Sequence, residues 1–302
     1  MTIAIVGLGK MGSQLANLIA QAGHRVIALD PNPEAVAAAA AFGAVPVNDR
    51  QSAVEKFGDE PVVVWLMIPA TFVSAEVDAW LEVLPAGSLL IDGGNTDFRE
   101  TQKHAELAAH KGVEFVDVGV SGGVLGIVNG FSMMVGGSAA SYGIITPILD
   151  ALAGSRGGHD YFGRAGSGHY VKMVHNAIEY GMMESLAEGY RLLREGPYQQ
   201  LDLAKVGAIW QKSSVIESTL NGLVAEIMEA DQSLSAASGK VVDSGEARWS
   251  LETAEASQIE LPAIRAALDV RINSQQGDTN YATQLLAELR NKFGGHPVNT
   301  KE

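Results

Sequence analysis

The chain contains no cysteine, so disulfides, thiolate metal sites and a cysteine nucleophile are all excluded. That absence suits a reducing compartment. Positive charge is also scarce: 21 Lys and Arg face 35 Asp and Glu, for a formal net charge of -14. A nucleic-acid binder needs a basic face, so that class is disfavoured. An anionic substrate is not excluded, because a few arginines can build a local positive pocket in an acidic protein. No stretch is long and apolar enough to read as a membrane span. Met1 leads straight into a strand-like segment, Thr2 to Val6, without the basic start and cleavage site of a signal peptide. These absences predict a cytoplasmic protein with no membrane or nucleic-acid partner. What is present is 302 residues, 47% of them apolar, enough for two domains of ordinary size.

The first half alternates short apolar, β-branched runs with helical periodicity. Ile3 to Val6 precedes Gly7-Leu8-Gly9-Lys10-Met11-Gly12, after which Met11, Leu15, Leu18 and Ile19 recur at helical spacing until Gly23. Val26 to Leu29 reads as a second strand and ends in Asp30. Further strand-like runs lie at Val62 to Met67, Leu89 to Ile91 and Phe115 to Val118, with helical segments such as Glu34 to Phe42 and Thr71 to Leu84 between them. This predicts an α/β fold: a Rossmann-type doubly wound parallel sheet covered by helices on both faces. In the glycine motif, Gly7 permits the tight turn, Gly9 lets backbone approach a pyrophosphate, and Gly12 lets the helix pack closely. The phosphates of a dinucleotide then sit at the positive end of that helix. A carboxylate at the end of the second strand, Asp30, suits the adenosine ribose hydroxyls of NAD and repels a 2′-phosphate. The same carboxylate would also serve in a turn or a helix cap. Pro31-Asn32-Pro33 follows, where an NADP enzyme would usually place an arginine.

Beyond about residue 165 the strand runs stop. A long helical pattern, about His169 to Arg194, ends at Gly196-Pro197; further segments lie near Leu203 to Lys212, Thr219 to Met228, Trp249 to Gln258, Pro262 to Ser274 and Tyr281 to Phe293. Residues 1–165 are therefore expected to form the dinucleotide domain, and 166–302 an all-α substrate and dimerisation domain. On the first long helix, Lys172, His175, Asn176 and Glu179 fall at i, i+3, i+4 and i+7, on one face across two turns. That mixture of side chains reads either as a functional stripe or as an exposed polar face. Two glycine-rich stretches, Asp92-Gly93-Gly94-Asn95-Thr96 and Val120-Ser121-Gly122-Gly123-Val124-Leu125-Gly126, follow strand-like runs. They belong at the carboxyl edge of the sheet, where open α/β folds bind ligands.

Together these residues resemble the decarboxylating 6-phosphogluconate dehydrogenases, in their shorter, NAD-preferring branch. The most specific elements are Ile91-Asp92-Gly93-Gly94-Asn95, Gly119-Val120-Ser121-Gly122-Gly123, the run from Gly168 to Tyr180 containing Lys172, His175, Asn176 and Glu179, and the tail Leu289-Arg290-Asn291-Lys292-Phe293-Gly294-Gly295-His296. The resemblance implies NAD as cofactor and a phosphorylated sugar acid as substrate, with no metal. It makes Lys172 the base that takes the C3 hydroxyl proton and Glu179 the acid that protonates C1 after CO2 leaves. Working near neutrality would require the lysine to lie about three pH units below its usual value, on the order of 4 kcal/mol. Asn95, Ser121, Gly122, Gly123, His175 and Asn176 would hold the substrate hydroxyls and carboxylate, with Asn95 also near the cofactor. Tyr180, Arg271 and Arg290 would meet the phosphate, and His296 the substrate.

One departure stands out. Longer family members carry a lysine and a threonine in a Gly-Lys-Trp-Thr segment; here Ser244 and Glu246 replace them. A carboxylate beside a phosphate is unfavourable, so either Arg248 compensates or Glu246 points away. The resemblance further implies a homodimer or homotetramer in which the C-terminal tail reaches the neighbouring active site. Two other readings stay open. One is a β-hydroxyacid dehydrogenase or semialdehyde reductase without decarboxylation, a class that usually shows Lys-x-x-x-Asn without the preceding histidine or the later glutamate. The other is a non-catalytic NAD-binding sensor.

Overall fold

The computed structural model describes residues 1–295 and Val298. It contains two compact units, Met1–Met173 and Val174–Glu302. The first begins with β1 (Thr2–Val6), α1 (Lys10–Gln21), β2 (Arg25–Leu29), α2 (Pro33–Ala41), β3 (Val45–Pro46) and α3 (Arg50–Glu55). It continues with β4 (Val63–Leu66), α4 (Ala70–Leu81), β5 (Leu89–Asp92), α5 (Phe98–His110) and β6 (Glu114–Ser121). A 3-10 turn at Gly123–Leu125 and the short α6 (Gly126–Asn129) lead to β7 (Ser132–Gly136), α7 (Ala139–Ala153) and β8 (Gly158–Gly163). The eight strands form one sheet in the order β3-β2-β1-β4-β5-β6-β7-β8. The order reverses at β1, which opens a crevice at the carboxyl ends of β1 and β4.

The continuous apolar runs of the sequence arise because both faces of the sheet are covered. Side chains alternate along each strand: Ile3 and Ile5 of β1, with Val63 and Trp65 of β4, enter one core, to which α1 adds Leu15, Ala16 and Ile19. Ala4, Val6, Val64 and Leu66 enter the other, to which α4 adds Val73, Val77 and Trp80.

The sheet is mostly parallel, as the sequence indicates, with one antiparallel pair that the pattern did not predict. β6 and β7 pair antiparallel, with Ser121 opposite Ser132. Only residues 122–131 join them, and a parallel crossover needs about a dozen residues or more. β8, reached through α7, then runs parallel to β7.

The long helix α8 (Ser167–Glu195) starts in the first unit. Its start is held by Asp117 of β6, a fully buried carboxylate. Asp117 Oδ1 accepts the Gly166 N–H at 2.8 Å and Oδ2 accepts the His169 N–H at 2.8 Å. Negative charge at a helix N-terminus is favoured by its unpaired N–H groups. The second unit continues with α9 (Leu203–Trp210), α10 (Thr219–Ala230), α11 (Glu246–Ala256), α12 (Pro262–Gln275) and α13 (Tyr281–Gly294), with no strand among its described residues. Asp202, Ser218 and Asn280 cap α9, α10 and α13 through their side chains. α11 begins three residues earlier than its periodicity indicated, because Gly245 (φ +104°) turns the chain into the helix and donates its N–H to Asp243.

The Asp117 clamp makes a definite prediction. Asp117→Ala strands two buried N–H groups and is expected to cost about 2–6 kcal/mol, at roughly 1–3 kcal/mol per unsatisfied group. A chemical-denaturation midpoint equal to wild type would show that the start of α8 does not depend on this carboxylate.

Candidate active site

The glycine motif forms the turn from β1 into α1. Gly7 has φ +89°, and a Cβ there would lie 2.5 Å from the Met67 carbonyl oxygen. A Cβ on Gly12 would lie 1.9 Å from the Gly7 carbonyl oxygen, so only glycine lets α1 start this close to the turn. A Cβ on Gly9 would meet nothing within 4 Å, which leaves open space where a pyrophosphate would approach. No side chain caps α1. Its positive end is thus suited to phosphate, and the residues fit a dinucleotide. Lys10 is exposed and Met11 half-buried in the first turn.

Asp30 has two tasks within the chain. Its Oδ2 accepts the Leu8 N–H at 2.6 Å, bracing the glycine turn, and its Oδ1 accepts the Asn32 N–H at 2.7 Å. The cap of α2 is Asn32, not Asp30. A carboxylate oxygen accepts more than one hydrogen bond, so bracing the loop and receiving ribose hydroxyls are compatible.

At the ends of β5 and β6 lie the other two glycine loops. Asp92, fully buried, accepts the Gly94 N–H at 3.0 Å and so shapes the turn that exposes Asn95. Ser121 ends β6, and Gly122 (φ +139°) and Gly123 (φ +53°) take backbone conformations that favour glycine. Lys172 is 7% exposed. A Cβ on Gly119 would lie 2.4 Å from the Lys172 Cβ, so the lysine stem lies flush against bare backbone of β6.

The second unit brings several of the expected residues together. His175 Nδ1 lies 2.9 Å from Asn176 Oδ1 and 3.9 Å from Glu179 Oε2. Asn176 Nδ2 donates to Glu246 Oε1 at 2.9 Å. Tyr180 donates its hydroxyl proton to Asp243 Oδ1 at 3.1 Å and accepts the Ser244 N–H at 3.0 Å. The Arg271 guanidinium carbon sits 3.2 Å from the centre of the Tyr180 ring, a cation–π contact. Burial pushes Tyr180 up, opposed by the Arg271 charge.

Arg271 and Arg290 are 2% and 6% exposed. Among the described residues neither has a carboxylate within 4 Å, and the polar contact of Arg271 is Met183 Sδ at 3.7 Å. Burial pushes both guanidinium groups down from the usual arginine value, and nearby Tyr180 opposes this in each case. Glu184 is a poor counter-ion: burial pushes its carboxyl up to about 7, with Glu188 adding to the rise and Arg271 opposing it.

The acids near these arginines divide into committed and uncommitted. Asp243 accepts from Tyr180, the Gly245 N–H and Arg248 Nη2, the last at 3.0 Å. Glu246 is 2% exposed and serves Asn176. Arg248 therefore balances Asp243 rather than Glu246. Glu179 accepts no hydrogen bond from any described residue, its nearest ionic neighbour being His175.

Asp117 and the Asn176 partnership of Glu246 escaped the sequence reading. A lone acid inside Phe115-Val116-Asp117-Val118 was the available signal, since a buried carboxylate must find donors. His296 lies outside the described residues.

Residues 2–163 match the family model described as the NAD binding domain of 6-phosphogluconate dehydrogenase, and residues 168–300 match the 6-phosphogluconate dehydrogenase C-terminal domain. The chain is 38% identical to an NAD(+)-dependent, decarboxylating 6-phosphogluconate dehydrogenase of Haloferax volcanii, and 34% identical to a putative 6-phosphogluconate dehydrogenase of Bacillus subtilis. In each pair, 100% of both chains is covered. Against a Plasmodium falciparum 6-phosphogluconate dehydrogenase structure the TM-score is 0.78 at 26% identity, over 97% of this chain and 65% of that one. A Mycobacterium tuberculosis 3-hydroxyisobutyrate dehydrogenase shares the fold, with a TM-score of 0.73 at 22% identity over 94% of this chain and 98% of that one. The chain belongs to the 6-phosphogluconate dehydrogenase family, a Rossmann NAD-binding domain followed by a helical C-terminal domain.

Proposed function

We propose that the protein catalyses NAD-dependent oxidative decarboxylation of 6-phospho-D-gluconate to D-ribulose 5-phosphate and CO2. The observation that carries this reading is the pair of buried arginines, Arg271 and Arg290, without a carboxylate partner among the described residues. Unpaired buried charge costs several kcal/mol, so the pair calls for an external anion. A phosphate matches the forked donors of arginine. The name of the Haloferax volcanii relative supports both the reaction and the cofactor. The likeness to 3-hydroxyisobutyrate dehydrogenase is one of fold.

Within this proposal Gly7, Leu8, Gly9, Lys10, Met11 and Gly12 hold the pyrophosphate, Asp30 the adenosine ribose, and Asn95 lies beside cofactor and substrate. When bound, NAD accepts a hydride from C3 of the sugar acid. Lys172, in its neutral form, takes the C3 hydroxyl proton at Nζ. The resulting β-keto acid releases CO2, and protonated Lys172 hydrogen-bonds the developing enolate oxygen. Glu179 then delivers a proton to C1 of the enediol, a task suited to an acid uncommitted among the described residues. Ser121, Gly122, Gly123, His175 and Asn176 hold the carboxylate and hydroxyls. Tyr180 joins the phosphate site by transferring its donor from Asp243 to a phosphate oxygen. We also infer a cytoplasmic homodimer or homotetramer whose tail, from Arg290 to His296, serves the neighbouring site.

The test is NADH formation from NAD with 6-phosphogluconate, with CO2 measured alongside, then the same assay with NADP and with free gluconate. Turnover of small β-hydroxyacids without CO2 would overturn the proposal in favour of a β-hydroxyacid dehydrogenase, and NAD binding without any turnover would favour a sensor. Lys172→Met is expected to lower kcat by about a thousandfold while NAD still binds, within the usual range for a lost acid–base group. Substantial residual turnover would remove Lys172 as the base. Arg290→Met should raise KM for 6-phosphogluconate by about ten- to a hundredfold, the loss of a charged hydrogen bond. An equal effect on free gluconate would show that Arg290 does not read the phosphate. Asp30→Ala should weaken NAD about tenfold and NADP less, since it removes ribose bonds and repulsion together. A uniform loss for both cofactors would mean that Asp30 only braces Leu8.

A further inference from the structure

Glu184 is a buried acid that the proposed reaction does not use. It lies one helical turn beyond Tyr180 on α8, next to Met183, whose sulfur meets Arg271 Nη2. Only 7% of Glu184 is exposed, and its Oε2, shut off from solvent, meets no hydrogen-bond donor among the described residues. Glutamine would fill the same volume without a charge. A carboxylate in that place is desolvated and unbonded, so it tends to hold a proton unless a cation compensates it. Among the described residues, the charged groups that act on it are Glu188, on its own helix, and Arg271 of α12. Glu188 disfavours ionisation and Arg271 favours it, while burial is the largest influence and holds the carboxyl up to about 7. Arg271 in turn lies in the field of Tyr180, Arg290 and Glu179.

An anion on the arginines changes that balance in one direction. It offsets the cation that favours Glu184 as a carboxylate, and it adds a repulsion of its own. We infer that Glu184 is a specificity-determining residue of the anion site, which takes up a proton as a dianion settles on Arg271 and Arg290. This rests on the proposed reading of the two arginines as a phosphate receptor. With Glu184 neutral, both arginine charges face the dianion; with Glu184 ionised, one of them is partly offset. The sign of the pH dependence follows. Glu184 titrates at about 7 in the empty site and higher in the filled one. Affinity is therefore full below about pH 7 and falls as pH rises through the two values. A phosphate monoester becomes a dianion only above about pH 6, so dianion and proton coexist in a window near neutrality.

The test uses sulfate, a tetrahedral dianion that does not itself titrate near neutrality. Calorimetry of sulfate binding to the wild-type protein is run at about pH 7.5 in two buffers of different ionisation enthalpy. The expected result is uptake of about half a proton per anion, for a carboxyl raised by about one pH unit on binding. Binding without proton uptake overturns the inference before any variant is made. From about pH 6 to about pH 8.5 the sulfate dissociation constant should rise about five- to tenfold. In Glu184→Gln it should stay near its low-pH value, and the uptake should vanish. A variant that keeps both the uptake and the alkaline loss assigns them to another group and overturns the inference. Failure of the wild-type protein to bind sulfate, or equal binding by Arg290→Met, would instead sink the reading of the arginines as an anion receptor, and the role of Glu184 with it.

Discussion

The buried carboxylate of Asp117 is the contact on which the first unit's chemistry depends. It accepts two backbone N–H groups from the start of α8, at Gly166 and His169, with no exposure to solvent. In low dielectric such charge-assisted bonds are strong, and an unmet N–H in the same place would be costly. Asp117 and Gly119 are two residues apart on β6, so they face the same side of the sheet. One anchors the helix and the other removes the Cβ that would collide with Lys172. The strand therefore supplies both an attachment and a gap, and the lysine stem settles where the two require it.

Much of this fold is legible because its elements are punctuated by residues with a single physical use. Gly7 needs its positive φ and Gly12 its missing side chain, so the motif announces a strand, a turn and a helix in that order. The alternation of β1 to β5 with helices follows from runs buried on both faces. The reversal at β7 was not legible: pattern alone shows a strand but not its direction, and the short 122–131 connection decides that. β8, with its Gly-His-Asp-Tyr-Phe-Gly sequence at the sheet edge, lacks the apolar run that marks a buried strand. The stripe of Lys172, His175, Asn176 and Glu179 was visible from helical spacing. Asp117, Glu246 and the Tyr180 contact of Asp243 were not assigned, because those partners lie tens of residues away in the chain.

In the second unit the governing constraint is unbalanced positive charge. Arg271 is sustained by the face of Tyr180 rather than by an acid, and Glu184 is held up to about 7 by burial, so it is only partly ionised near neutrality. A cation–π contact compensates a desolvated guanidinium by about 2 kcal/mol, less than the several kcal/mol that burial costs. The deficit supports the proposed role of the pair as a receptor for an anion.

The buried glutamate of the 243–250 segment, Glu246, is best understood through the same balance. Glu246 already lies in the field of Arg290, together with Asp243 and Glu179. Two arrangements engage these acids within the protein. Arg248 pairs with Asp243, and the Asn176 amide donates a hydrogen bond to Glu246. Glu179 alone among these three acids lacks a hydrogen bond from a described residue. A carboxylate so placed keeps its lone pairs for a transferable proton, whereas one already holding three donors, as Asp243 does, would have to break them first. The division of labour among the three acids thus follows from which of them the fold has already spent on holding its own polar groups.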